Sequence, residues 1–256
     1  MASNVNDLAA GKMPIKGHLV EIRDRIARCV IALVVTTALS FIFASQVLDI
    51  LLIPKGDIVI QAIKPTETLS VYFKVALASG VIIAMPVLVY QLFAFISPGL
   101  TSKEKKLIFQ LLPFIVGLFL CGIAFAYFVA LPPALGFLGN FLSDKVENTW
   151  QFSEYIDIVT RMLVGVGLVF ETPIIVMILS RMGVVSPQWL AGKRRWWFVL
   201  AFILSALITP TMDPINQSII AIPLIILMEL SIILARFVYK KRDDKVPAKV
   251  QSIQQT

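Results

Sequence analysis

Residues 107–131 read LIFQLLPFIVGLFLCGIAFAYFVAL. No Asp, Glu, Lys or Arg interrupts the run, which exceeds the roughly 20 apolar residues that carry a helix across a ~30 Å hydrocarbon layer. Toward the N-terminus, similar runs occupy 71–96 and 26–44. Toward the C-terminus they occupy 158–179, 196–208 and 218–235. The composition agrees: 58% of the residues are hydrophobic and 15% charged, against roughly 45–50% and about 25% in soluble domains. So few charges cannot cover the surface of a soluble domain this size. A soluble enzyme and a disordered chain are excluded. The expectation is an all-α membrane protein of six transmembrane helices, one domain over 1–256.

The polar segments set the topology. Basic residues before the first span are Lys12, Lys16, Arg23, Arg25 and Arg28. The 97–106 loop adds Lys103, Lys105 and Lys106, the 180–195 loop Arg181, Lys193, Arg194 and Arg195, and the 236–256 tail six more, eighteen in all. The 45–70 and 132–157 loops hold Lys55, Lys64 and Lys145, with Lys74 and Arg161 near span ends, at most five. Basic residues accumulate on the cytoplasmic side, so residues 1–25 and both termini are expected in the cytoplasm. The net charge of +7 is therefore topological and does not point to nucleic acid. Pro98-Gly99 breaks the chain between spans two and three, and Pro132-Pro133 is expected to end span three. The fifth span, thirteen residues over 196–208, reaches only about 20 Å, so the bilayer is expected to thin beside it.

Enzymatic chemistry finds little support. The single histidine, His18, leaves no HExxH or His-rich metal site, and neither a GxSxG nor a P-loop pattern occurs. No metal and no cofactor are expected. Cys29 and Cys121 lie in or beside apolar runs and give no disulfide framework. Residues 1–17 lack the apolar core of a cleavable signal peptide.

Three polar features remain. Glu21 and Glu104 are acidic residues set in basic cytoplasmic segments. They are either members of self-neutralising surface runs or a carboxylate site for a cationic ligand, for which arginine's fork is the better match. Glu171 lies near the middle of span four, where a carboxylate costs a few kcal/mol or more and faces a cavity or a partner. Pro173, two residues on, removes a backbone donor and frees a carbonyl one turn back. Residues 209–214, Thr209-Pro210-Thr211-Met212-Asp213-Pro214, form a tight turn in which Asp213 is placed to cap span six, with Asn216 and Gln217 in its first turn.

These segments together resemble the TatC family, the multi-spanning component of the twin-arginine protein translocase. His18-Leu19-Val20-Glu21-Ile22-Arg23-Asp24-Arg25-Ile26 resembles its HLxELRxRL opening. Phe95 to Leu100 followed by Glu104-Lys105-Lys106 resembles its FxxPGLxxxEKK loop. Phe125-Ala126-Tyr127-Phe128 with Pro132, Phe170-Glu171-Thr172-Pro173, and Thr209-Pro210 with Asp213 resemble FxYFxxxP, FExP and TPxxD in turn. The longer turn at Thr211-Met212 departs from the last pattern.

The resemblance implies a curved, concave bundle whose two longer loops, including Pro54, form a periplasmic cap. It implies a bacterial cytoplasmic (inner) membrane location and transport driven by the proton-motive force. Twin-arginine signal peptides of folded precursors would meet Glu21 and Glu104, on a surface shaped by Phe95, Pro98 and Gly99 beside Arg23 and His18. Glu171 would face single-span TatA-like and TatB-like partners. Thr209, Asp213 and Gln217, at the end of span five, would mark where their helices dock, within a homo-oligomeric receptor complex. Two alternatives stay open on the residues alone. One is a proton-coupled small-solute transporter using Glu171 with Lys74 as counter-charge, and the other is a ligand-free scaffold.

Overall fold

The computed structural model describes residues 15–56, 58–96, 102–141, 149–211 and 213–239, without the side chains of 15–19, 96 and 102–109. The helices are α1 (Ile15–Leu52), α2 (Glu67–Ile96), α3 (Ser102–Phe125), α4 (Leu131–Asn140), α5 (Phe152–Phe170), α6 (Thr172–Arg181), α7 (Pro187–Gly192), α8 (Arg194–Ile208) and α9 (Pro214–Val238). Two short strands, β1 (Val59–Gln61) and β2 (Thr149–Gln151), pair in parallel. Among the described residues, five helical stretches are long and apolar enough to cross a membrane: Val20–Lys55, Glu67–Phe95, Gln110–Asn140, Phe152–Arg181 and Pro214–Val238. The fifth predicted span is α8, whose 15 residues rise only about 22 Å. Large apolar side chains stay exposed on these helices, Val34, Phe114, Leu207 and Phe237 among them, as suits a surface solvated by hydrocarbon.

Helix α1 packs along α2, α3 against α5, and α9 against α6 and α8. Close approach of α1 to α2 depends on Gly80. A Cβ there would sit 2.7 Å from the Cα and 2.9 Å from the amide nitrogen of Thr37. Small residues let membrane helices touch at the backbone, where hydrogen bonds add to packing, and here the Thr36 hydroxyl donates to the Gly80 carbonyl at 2.8 Å. Because the obstruction is backbone, no rotamer relieves it. Gly80→Ala is expected to lower stability in detergent by about 1–3 kcal/mol, read as a lowered thermal midpoint. An unchanged midpoint would show that the seam yields freely.

The end of α1 illustrates how polar backbone groups are satisfied. Pro54 has no N–H to offer the Ile50 carbonyl, and the last carbonyls of a helix lack partners in any case. The Tyr127 hydroxyl donates to Ile50 O at 2.8 Å, and the Tyr155 hydroxyl donates to Leu51 O at 2.7 Å. Beyond α1, Glu67 ties the segment before α2 to the start of α5. Its carboxylate accepts from the backbone N–H groups of Ile63 (2.8 Å), Lys64 (3.3 Å) and Ser153 (2.8 Å). That tie holds the β1–β2 region over the start of α2 and α5.

One expectation is corrected here. Pro132-Pro133 does not end the helix. The five-residue π turn Ala126–Ala130 joins α3 to α4, and the Leu131 N–H donates back to the Ala126 carbonyl. The wider turn lets the prolines occupy the first turn of α4, where missing N–H groups cost nothing. Residues 15–25 are helical and open α1. The free cysteines, Cys29 and Cys121, form no disulfide.

Candidate functional site

The candidates expected on the cytoplasmic side lie where α1 begins and α2 ends. On α1, Glu21 and Arg25 are one turn apart and face each other, as i, i+4 partners do. The Arg25 Nε donates to Glu21 Oε1 at 3.0 Å, and an Nη of the same guanidinium also reaches that oxygen. A further Nη of Arg25 lies 3.5 Å from Oε1 of Gln91 on α2. The pair is not a solvated surface bridge: the side chains are 19% and 18% exposed for Arg25 and Glu21, and Gln91 is buried. Half-buried Phe95 lies one turn beyond Gln91, on the same side of α2. Arg23 points elsewhere. Its guanidinium binds the adjacent Asp24 at 2.9 Å, and both side chains are exposed.

His18 and Glu104 belong to described helices, α1 and α3, but their side chains lie outside the described residues, as do Pro98 and Gly99 altogether. Gln91 and Arg25 were not singled out as site residues in the sequence. The signal for Gln91 was available as an amide in an otherwise apolar stretch of α2.

Glu171 marks a break in the fourth apolar stretch. Helix α5 ends at Phe170 and α6 starts at Thr172. Pro173 cannot donate to the Val169 carbonyl, and the Thr172 hydroxyl takes its place at 2.6 Å. The Glu171 carbonyl accepts from both Ile174 and Ile175 N–H, at 3.1 Å each, so the backbone is satisfied through the break. The side chain is not: Glu171 is 3% exposed, and its Oε1 is buried without a hydrogen-bond partner among the described residues. Next to the break, an apolar groove of about 550 Å³ runs between α3, α6 and α9, lined by Phe114, Gly117, Pro173, Met177 and Leu230 among others.

Lys74 is not the counter-charge of Glu171. Its Nζ binds Asp157 and the Ser153 hydroxyl, each at 2.7 Å, near the start of α5. Glu229 likewise does not stand alone, since Arg194 clasps it with two nitrogens at 2.7 and 2.9 Å.

The 209–214 turn uses its polar groups internally. Thr209 has extended backbone, as the residue before a proline prefers. Its hydroxyl donates to the carbonyls of Ser205 (2.9 Å) and Thr211 (3.1 Å). Gln217 Nε2 donates to Phe202 O at 2.7 Å, and the Ser205 hydroxyl donates to Gln217 O. Asp213 caps α9, accepting from the Asn216 N–H at 2.8 Å with Pro214 at the first helical position. These bonds fasten α8 to α9.

Among the described residues, a multi-span helical membrane protein thus carries a half-buried carboxylate, Glu21, clasped by a guanidinium at a helix end, and a buried one, Glu171, whose Oε1 has no hydrogen-bond partner at a helix break. The family model described as "Sec-independent protein translocase protein (TatC)" matches residues 17–223. The TatC of Aquifex aeolicus is 37% identical over 238 residues, covering 91% of this chain and 98% of its relative. TatCd of Bacillus subtilis is 36% identical over 226 residues, 88% of this chain and 93% of its own length. Two solved structures described as the twin-arginine translocase receptor TatC superpose with TM-scores of 0.75 and 0.77 at 37% and 38% identity. They cover 86% and 85% of this chain and 99% of each of theirs. The chain belongs to the TatC family, and it is a membrane component of the Tat protein translocase.

Proposed function

We propose that this chain is the receptor and translocation core of the Tat pathway: it binds the twin-arginine signal peptides of folded precursors and gathers single-span TatA-like and TatB-like partners around itself. It works as a homo-oligomer in the bacterial cytoplasmic membrane, with six spans, both termini in the cytoplasm and the β1–β2 region as part of a periplasmic cap. The proton-motive force drives transport, and the chain itself catalyses no reaction. The observation that carries the reading is the half-buried Glu21 carboxylate, which already holds a guanidinium at 3.0 Å with the Gln91 amide oxygen 3.5 Å away. That arrangement selects a flat, forked cation over a point charge. Glu104, on α3, is proposed as the second carboxylate. Phe95 and the Pro98-Gly99 turn shape the surface, with His18 and Arg23 at its edge.

Glu171 and the groove beside it are proposed to receive the transmembrane helices of the partners. The 209–214 turn, with Thr209, Pro210, Asp213 and Gln217, holds α8 and α9 in the arrangement that docking needs. The transporter alternative loses its motivating pair, because Lys74 is bound to Asp157.

The test is direct binding of a fluorescent signal peptide to the protein in nanodiscs. An Arg-Arg peptide is expected to bind at least about tenfold more tightly than its Lys-Lys version, since each lysine gives up a bidentate contact worth roughly 1 kcal/mol or more. Equal affinities would overturn the receptor reading.

A further inference from the structure

The geometry points to Arg25 as a resident competitor for the signal-peptide site, an inference that rests on the receptor reading of Glu21. Arg25 belongs to this chain, yet it stands where a ligand arginine would stand. Its guanidinium takes one carboxylate oxygen of Glu21 through two of its nitrogens and approaches Gln91 on the neighbouring helix with a third. The site is narrow: Glu21 and Arg25 are about four-fifths buried, and Gln91 nine-tenths. A peptide guanidinium that reaches Glu21 must share this carboxylate with Arg25 or send Arg25 elsewhere.

Displacement has a physical route. The partner contact at 3.5 Å is at the limit of a hydrogen bond. Arg25 sits one turn above Glu21 on the same helix, so its long side chain can swing out toward water by rotamer changes without moving α1. The incoming guanidinium replaces the outgoing one, so the carboxylate is never left buried and uncompensated, the state that would cost most. The site in the empty receptor is then satisfied, and only a ligand that reproduces the fork can exchange with it at little net loss.

Competition has a signature that a merely structural role lacks. If the closed Glu21–Arg25 pair and the peptide-bound state exclude each other, the pair lowers the apparent affinity of every ligand by the same factor, the inverse of the open fraction. Removing the competitor therefore strengthens binding of Arg-Arg and Lys-Lys peptides alike and leaves their ratio unchanged. A residue that instead orients Glu21 would weaken binding when removed and would alter the ratio.

The experiment compares wild type, Arg25→Met, Arg25→Lys and Glu21→Gln, full-length and in nanodiscs, each titrated with fluorescent Arg-Arg and Lys-Lys peptides, with thermal midpoints to verify folding. Arg25→Met is expected to bind both peptides about three- to tenfold more tightly with an unchanged ratio. Arg25→Lys, whose ammonium holds the carboxylate less well, is expected to fall between it and wild type. Unchanged or weaker binding by a folded Arg25→Met, or an altered peptide ratio, overturns the inference. Should that variant not fold, the Arg25→Lys protein decides by the same criterion. Glu21→Gln separates the two levels. If it binds the Arg-Arg peptide like wild type, the receptor reading itself fails. If it loses binding while the Arg25 variants gain none, the receptor reading stands and only the competitor is lost.

Discussion

Glu21→Gln is expected to lower the affinity for an Arg-Arg signal peptide by about 30- to 1,000-fold, the loss that follows when one partner of a largely desolvated charge pair is neutralised at a cost of about 2–4 kcal/mol. Glutamine keeps the shape and volume of the side chain, so the change isolates charge. In the structure the Glu21 carboxylate already holds a guanidinium at 3.0 Å, in a setting where both side chains are less than one-fifth exposed. Water screens little at such a position, and the Coulomb term is correspondingly larger than at a surface pair. Asp24→Asn supplies the control. Its pair with Arg23 is open to water, so it is expected to shift affinity by no more than about threefold. Fluorescence anisotropy of the labelled peptide reads both variants. A Glu21→Gln protein that binds within a few-fold of wild type would remove the site from α1.

How much of this was legible in the sequence depends on the range of the interaction. Apolar runs, the Asp213 cap and the helix break beside Pro173 are local consequences of side-chain chemistry, and each could be read from a window of a few residues. The helical start of α1 was hidden because residues 18–25 look like a solvated charge run, while in the fold Glu21 and Arg25 neutralise each other along one face. Pro132-Pro133 misled for a different reason. A helix normally stops before such a pair, but the π turn at Ala126–Ala130 absorbs the mismatch, and nothing in residue type announces a π turn. The partners of Lys74 and Glu229 are separated from them by 83 and 35 residues, so pairing had to wait for the packing of α2 on α5 and of α9 on α8. Gln91 shows the same limit. Its amide was visible, but its meaning depends on which residue of α1 lies opposite.

Glu171→Leu is expected to stabilise the isolated protein and to impair the assembled one. At 3% exposure, with Oε1 lacking a partner among the described residues, the Glu171 side chain leaves a buried polar atom unsatisfied, a cost of about 1–3 kcal/mol. Leucine of similar volume removes that cost and packs with the apolar neighbourhood of Phe170 and Ile174, so the thermal midpoint in detergent should rise. The backbone of the break does not depend on the carboxylate, since Thr172 and the Glu171 carbonyl satisfy it, and the α5–α6 geometry should persist. A group that costs stability at the junction of two half-helices beside a 550 Å³ apolar groove fits the proposal that another chain supplies its partner. Site-specific crosslinking from α6 to the single-span partners should therefore fall several-fold in Glu171→Leu, and recover in part in Glu171→Gln, which keeps a hydrogen-bonding head. A lowered midpoint with intact crosslinking would reverse the assignment, making Glu171 a structural acid of the bundle and leaving the groove to lipid.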